Sequence, residues 1–522
     1  MFFLFFSTFL AAQNQEFIAG KLIDAQTQEP IAFASIRIKD RALGMISNTD
    51  GSFKVPLKYK EYGNIIEISS MGYQSVELII HDFLIDEINF IELQPSAFQL
   101  QEALVLGKKR NQKNISAEKI VQNAIDRILD NYPIEPYSQI GYYRDYQLDN
   151  TQYINLNEAI LEVYDEGFNT YDALNTKVVL FDYKQNTDFS RNLFAEKPYD
   201  FNKGNKIIDK AYLPSYGGNE FTILNVHNAI RNYNINTYSF ANYFESDFLK
   251  QHTFWKEDNT YIDDKILYTI KFKKLDSDAK AFGTIIIAKE DYSIYKLEYA
   301  LYDGNKRNTS GLADKNGMKT QLIFEVNTEY QKINNRMFLN YISFHNTFKL
   351  QEPPKLVLQG VELDVDNKLF LLTFSQELIP VLAQRVRNFE ITFEGERLVI
   401  EKVDLLKNKV FLYPKLDKQR FKNLFNRVLA KASLVALSET ALKIEVKNLE
   451  DIHGNEINKW TNNYFNQFRE FFVQQIKPNN RAPLNIIIFM DRGRPIFKYQ
   501  PFYKPPNFSD YWMNTPLRTL QN

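Results

Sequence analysis

Between residues 17 and 106, apolar and polar positions alternate in short runs separated by turn-forming residues. In FIAGKLIDAQTQEPIAFASIRIKD, Phe33, Ile36 and Ile38 follow a turn-rich stretch from Asp24 to Pro30, the pattern of a strand that enters, turns and returns half buried. LGMISNTDGSFKVPL predicts a hairpin: Asp50-Gly51 suits a tight turn with positive φ, and Phe53 and Val55 resume the period of two. NIIEISSMGYQSVELII supplies two strands flanking Gly72-Tyr73, and INFIEL another. Many short strands at regular spacing predict a β-sandwich at 17–106 that folds independently.

The polar run GKKRNQKN, residues 107–114, reads as a linker. Ser116 then opens a capping box with Lys119 in place of the acid, and Ile120, Val121, Ala124, Ile125, Ile128 and Leu129 share one helical face that Pro133 and Pro136 end. From Gln139 to about Leu350 the pattern is strand-like, in segments such as ILYTIKFKKL and TQLIFEVNTEY. It predicts a β-rich domain over 115–350: a broad antiparallel sheet with one face buried and one helix. Residues 355–458 form a further β unit. The tail, 459–522, carries an apolar-aromatic helix candidate, TNNYFNQFREFFVQQI, then a hairpin around Asp491 to Pro495. Trp512 and Met513 are expected to dock on an earlier domain, because together they would expose an apolar patch.

Length and composition narrow the function classes. At 522 residues there is room for three or four domains, and 63 basic against 64 acidic residues leave no electrostatic footprint for nucleic acid. The 42 Phe and 31 Tyr suit a β-rich chain. With no cysteine, thiol catalysis, disulfides, Cys-ligated metals and a lipoprotein anchor are excluded. MFFLFFSTFLAAQ reads as a signal-peptide core (1–12) cleaved after Ala12, although no Lys or Arg precedes it and Leu10 fits the cleavage site poorly. No later stretch predicts a transmembrane helix, so the expected product is soluble and exported.

A zinc carboxypeptidase site needs a His-x-x-Glu pair with a later His. His453 and Glu456 fit the first half, no histidine follows, and the match reads as chance. His81, His227, His252 and His345 are dispersed and read as surface or core residues. No Gly-x-Ser-x-Gly elbow, His-Glu-x-x-His helix, phosphate loop or dinucleotide fingerprint is present, which leaves a carboxylate pair as the open catalytic option. Asp364, Asp366 and Asn367 lack the Gly and distal Glu of a calcium loop and read as a solvated turn. Tyr142, Tyr143, Tyr146, Tyr292, Tyr295 and Tyr299 could form a stacking platform for sugars, but strands favour aromatics and a core role is the expectation. No catalytic, cofactor-binding or metal residue is predicted.

Gly20 with Asp24, Pro30, Ala34 with Ile36, Gly44, Thr49 to Phe53, and Ser69 to Tyr73 carry a resemblance to the carboxypeptidase-regulatory-like domain, a prealbumin-type sandwich common in Bacteroidetes. That domain is appended to zinc carboxypeptidases and is not their catalytic part. The helix, a Gly141 to Arg144 strand and a Gly283 to Ile285 strand resemble the middle region of large Bacteroidetes proteins; related sheets wrap a helix into a half-barrel that can hold an acyl chain. Leu371 to Ser375, Asn388-Phe389, Val410 to Leu412, and Val446 to Leu449 with Asp451, Gly454 and Asn455 resemble a bacterial Ig-like module. Leu100 to Val105 resembles the segment joining the regulatory-like domain to the plug of TonB-dependent transporters, but no plug or barrel follows. The expected fold is mainly β: a prealbumin-like sandwich, a central antiparallel sheet with one helix, an Ig-like sandwich and a short α/β tail. These resemblances imply a non-enzymatic exported scaffold or recognition module of the periplasm or outer membrane, with an envelope protein or a cell-surface glycan as partner. The alternatives are a half-barrel carrier of an apolar ligand and an enzyme with an unrecognised carboxylate site.

Overall fold

The structure is a computed structural model that describes residues 17–41, 43–61, 64–96, 115–149, 152–197, 206–207, 218–232, 248–262, 265–307, 314, 317–432 and 442–517. The expected signal peptide, the linker 107–114 and the segment 100–105 lie outside them. The chain is mainly β and divides into two compact units, Met1–Lys349 with Tyr464–Asn522, and Leu350–Asn463.

The first unit opens with seven strands, β1 (Phe17–Asp24), β2 (Ser35–Ile38), β3 (Leu43–Ile46), β4 (Ser52–Pro56), β5 (Ile65–Ser69), β6 (Val76–Ile79) and β7 (Ile88–Leu93). They form two sheets, ordered β4-β1-β7 and β3-β2-β5-β6, with β1 and β7 parallel. The period of two sends Ile18 and Leu22 of β1, Ile36 and Ile38 of β2, and Ile66 and Ile68 of β5 into one core. The predicted hairpin at Asp50-Gly51 is corrected. The turn is tight, with Gly51 at φ +76° and its missing Cβ only 2.4 Å from Leu22 O, yet β3 and β4 belong to different sheets. The turn carries the chain across the sandwich, a choice that turn chemistry alone does not encode.

A helix, Ala117–Asp126, follows; the Ser116 side chain accepts from Lys119 N at 3.2 Å, and Ile120, Val121 and Ala124 are buried. Next come β8 (Tyr137–Asp149), β9 (Gln152–Asp165), β10 (Lys177–Gln185), β11 (Lys206–Ile207), β12 (Thr253–Lys256), β13 (Thr260–Ile262), β14 (Lys265–Leu275), β15 (Ala279–Ala288), β16 (Ile294–Arg307), β17 (Thr320–Ile333) and β18 (Arg336–Glu352). The second unit supplies β19 (Leu358–Asp364), β20 (Leu369–Phe374), β21 (Phe389–Phe393), β22 (Glu396–Leu398), β23 (Ile400–Leu406), β24 (Lys409–Pro414) and β25 (Leu442–Val446). The chain then returns to the first unit with β26 (Thr461–Pro478). The central sheet has twelve strands along the path β10-β9-β8-β26-β18-β17-β16-β15-β14-β12, with β11 against β18 and β13 against β14.

Three expectations are corrected here. The helix candidate at 461–476 is the strand β26, which lies between β8 and β18 inside the sheet and replaces the α/β tail with a sheet-completing segment. Phe465, Phe468 and Phe472 repeat at helical spacing, but Phe471, Phe472 and Val473 are each 2 % exposed, and consecutive buried residues are what a strand shows when both faces are covered. The central sheet is accordingly buried on both faces through β8 and β9, not on one. It also carries more than one helix: Glu220–Val226, capped by Asn219 accepting from Thr222 N, places Phe221 against Tyr143 and Phe471.

The second unit holds sheets β19-β20-β24-β23 and β22-β21-β25 around Phe370, Leu372, Phe374, Ile391, Val410 and Leu412. A helix that the strand reading omitted, Lys418–Ala432, adds Phe421 and Leu424 to that core.

Candidate functional site

The strand β26 sets the chemistry of the first unit because it pairs with β8 in a register that puts Glu470 opposite Arg144, Arg469 opposite Asp145 and Gln467 opposite Gln147. Alternation sends the first pair to one face of the sheet and the other two to the opposite face.

On the face beneath the N-terminal sandwich, Arg144 is fully buried and pairs with Glu470 through Nε, while its Nη1 donates to Asn48 Oδ1 at 2.6 Å. Glu158, also fully buried, accepts from Tyr142, Asn186 and Thr515, each at 2.7 Å. Asn514 donates to Ile46 O at 3.0 Å and accepts from Lys54 N at 3.0 Å. Sandwich, sheet and tail thus share one hydrogen-bonded interior.

On the other face, Asp145, Glu220, Glu196, Lys206, Gln147, Asn157, Gln467 and Tyr183 line a chamber of about 20 Å3, room for about one water. Asp145 accepts from Asn157 Nδ2 at 2.9 Å and from Tyr143 OH at 3.1 Å. Burial, with the Glu220 carboxylate adding to it, pushes Asp145 up to about 7. Lys206 reaches Ala195 O, Lys197 O and Gln467 Oε1 at 3.4 to 3.5 Å and lies 4.2 Å from the Phe348 ring centroid, and burial pushes its ammonium down to about 8. Asp145 and Lys206 thus face one water-sized space with their proton affinities drawn toward neutral pH.

The shift of Asp145 carries a stability signature. Its folded value lies above the ordinary 3.8, so the native state holds the extra proton between about pH 4 and 7, and stability falls as pH rises through that window. Asp145→Asn can keep both hydrogen bonds. It is expected to gain on the wild type by about 2 to 4 kcal/mol as pH goes from 4 to 8. Urea unfolding of both proteins at the two pH values measures the difference; a gap that does not change with pH would refute the shift.

A larger opening of about 410 Å3 lies between the sandwich and the central sheet. Its walls include Arg37, Tyr73 and Met71 from the sandwich and Lys265, Lys296, Glu329 and Lys332 from the sheet. Lys296 is held by Glu298 at 3.0 Å and Glu329 at 3.1 Å, and Lys332 by Asp291 at 2.6 Å. Arg37 Nη2 donates to Gln331 Oε1 and, at 3.3 Å, to Asn340 Oδ1. Among the described residues it has no carboxylate at ion-pair distance. Burial pushes its guanidinium down to about 10, against the opposing pull of Glu67. Arg37 and Lys265 are thus the cations of this opening without a carboxylate at ion-pair distance among the described residues.

The residues weighed from sequence lie elsewhere. His453 and Glu456 share an exposed turn, where His453 N donates to Asp451 Oδ1 and Glu456 pairs with Lys459 at 2.5 Å. His227 and His345 stack on Phe344 and Phe468, and His252 is bonded to Phe248 O and Tyr299 OH; His81 is exposed. Asp364 caps its own turn by accepting from Asn367. Tyr142, Tyr143, Tyr146, Tyr295 and Tyr299 are buried in the core, while Tyr292 is half-buried in a turn under Arg127. Sequence reasoning missed Arg37, whose signal was weak: a cation between two core isoleucines, on the strand face that alternation assigns to solvent.

Residues 18–105 match the family model of the CarboxypepD_reg-like domain. No curated protein and no solved structure matches the chain.

Proposed function

We propose that this protein is a non-enzymatic envelope protein of a Bacteroidetes cell, exported to the periplasm or outer membrane, that recognises an acidic glycan in the groove between its regulatory-like domain and its central sheet. The observation that carries this reading is Arg37: a half-buried guanidinium inside an opening of ligand size, bonded to two amide oxygens and, among the described residues, to no carboxylate at ion-pair distance. The wall of the opening is mostly polar, which suits a hydroxyl-rich, charged ligand, and Tyr73 and Met71 stand beside the cations. Export is supported by the apolar start and the absence of cysteine. The two-sheet second unit is in keeping with a bacterial Ig-like module.

Isothermal titration of the full chain with uronic-acid oligosaccharides, against neutral oligosaccharides of equal length, tests the reading. The acidic series is expected to bind and the neutral series to bind about tenfold more weakly or not at all. Arg37→Gln and the exposed Lys265→Gln should each weaken the acidic series. Equal affinity for both series, or binding indifferent to both substitutions, would remove the groove from the account.

A further inference from the structure

The tail after β26 presents a second surface, independent of the groove. From Leu484 to Tyr503 the chain crosses the edge of β10, bridging Val179 with Phe489 and Leu180 with Phe502, so that the outermost strand is covered. Met490 and Ile496 anchor the crossing at 5 % and 4 % exposure, and the buried Gln500 accepts from Asp491 N at 2.8 Å and donates to Asp491 O at 2.9 Å. The two arms predicted as a hairpin therefore meet through one side chain, not through a ladder.

Ile488 and Phe489 also pack on the core, while other large apolar residues of this anchored segment face outward. Leu484 is 99 % exposed, Ile486 76 %, Ile487 78 % and Tyr499 84 %, with Phe502 and Tyr503 about half exposed. Single exposed apolar residues are ordinary; several on one short, fixed segment mark an interaction surface. The same stretch, 481–504, contains Arg481, Arg492, Arg494, Lys498 and Lys504 against one acid, Asp491. Within it Arg494 pairs with Asp491 at 2.9 Å, and Lys504 reaches Asp182 at 3.2 Å.

Aliphatic and aromatic side chains flanked by cations fit the boundary between lipid headgroups and acyl chains. We infer that the segment Leu484–Tyr503 docks on an anionic phospholipid surface, inserting Leu484, Ile486 and Ile487 and laying its Arg and Lys residues against the headgroups. No helix among the described residues is long and apolar enough to cross a membrane, and this contact needs none.

Co-sedimentation of the full chain with vesicles of phosphatidylethanolamine and phosphatidylglycerol tests the inference, with phosphatidylcholine vesicles as the neutral control. Binding is expected to the anionic vesicles, about tenfold weaker to the neutral ones, and weakened by high salt. The double variant Ile486→Asp/Ile487→Asp should lose at least about tenfold while its melting temperature stays put, because both side chains are exposed. Arg481→Glu/Lys498→Glu should abolish the preference for anionic lipid. No sedimentation with anionic vesicles, or sedimentation unchanged in the double variant, would overturn the inference. So would a self-association in sedimentation velocity that only the double variant loses, since the surface would then belong to a second copy.

Discussion

Replacing Glu470 with Ala is expected to destabilise the native state by about 3 to 5 kcal/mol, the range for breaking a buried ion pair from one side. Arg144 is fully buried and Glu470 is 1 % exposed, so the substitution leaves a guanidinium in the interior with no carboxylate paired to it. Tyr146 OH at 3.3 Å and Tyr341 OH at 3.4 Å lose the same acceptor. The remaining bonds from Arg144, to Asn48 Oδ1 and Asn514 O, end on neutral acceptors and cannot neutralise the charge. The double variant Arg144→Met/Glu470→Met removes both charges and keeps most of the volume, so it should recover much of the loss. Denaturant unfolding of the wild type, single and double variants measures this. If the double variant is as unstable as the single, lost packing and not the orphaned charge accounts for the effect.

That pair also shows where sequence reading stopped. The N-terminal sandwich is legible because β1, β2 and β5 keep a period of two and the turns carry their own chemistry, as at Asp50-Gly51. Which sheet each strand joins is not, since β3 and β4 flank a turn that would serve a hairpin equally well. The tail was misread for a physical reason: Phe465, Phe468 and Phe472 satisfy a helical period, and only insertion between β8 and β18 makes an extended chain the better burial for both faces. The polar sites were illegible because their members come from distant segments. Arg37 meets Gln331 and Asn340, and Lys206 meets Gln467, only after the sheet has assembled. Asp145 and Glu220, too, share one chamber only in the folded chain.

Trp512→Ala is expected to cost about 3 to 5 kcal/mol, and to cost it in the N-terminal sandwich, more than four hundred positions away in the chain. Trp512 is 2 % exposed within the core formed by β1, β2, β4 and β5, with its ring 5.9 Å from that of Tyr59. Its indole N–H donates to Lys54 O at 2.9 Å, and Gln474 of β26 donates to its carbonyl at 2.7 Å. The regulatory-like domain thus completes its interior with a side chain from the C-terminal tail, which Gln474 of β26 holds in place. Trp512→Phe keeps an aromatic ring and loses the indole donor, so it should cost less, about 1 to 3 kcal/mol. A fragment ending near residue 106 lacks the ring altogether and should melt below the sandwich of the full chain, with Tyr59 newly accessible. Thermal unfolding of the two variants and the fragment, with hydrogen exchange read at Phe53 and Val55, locates the loss. Exchange at those amides unchanged by Trp512→Ala would mean that the sandwich holds its core unaided and that the tail docks on it without stabilising it.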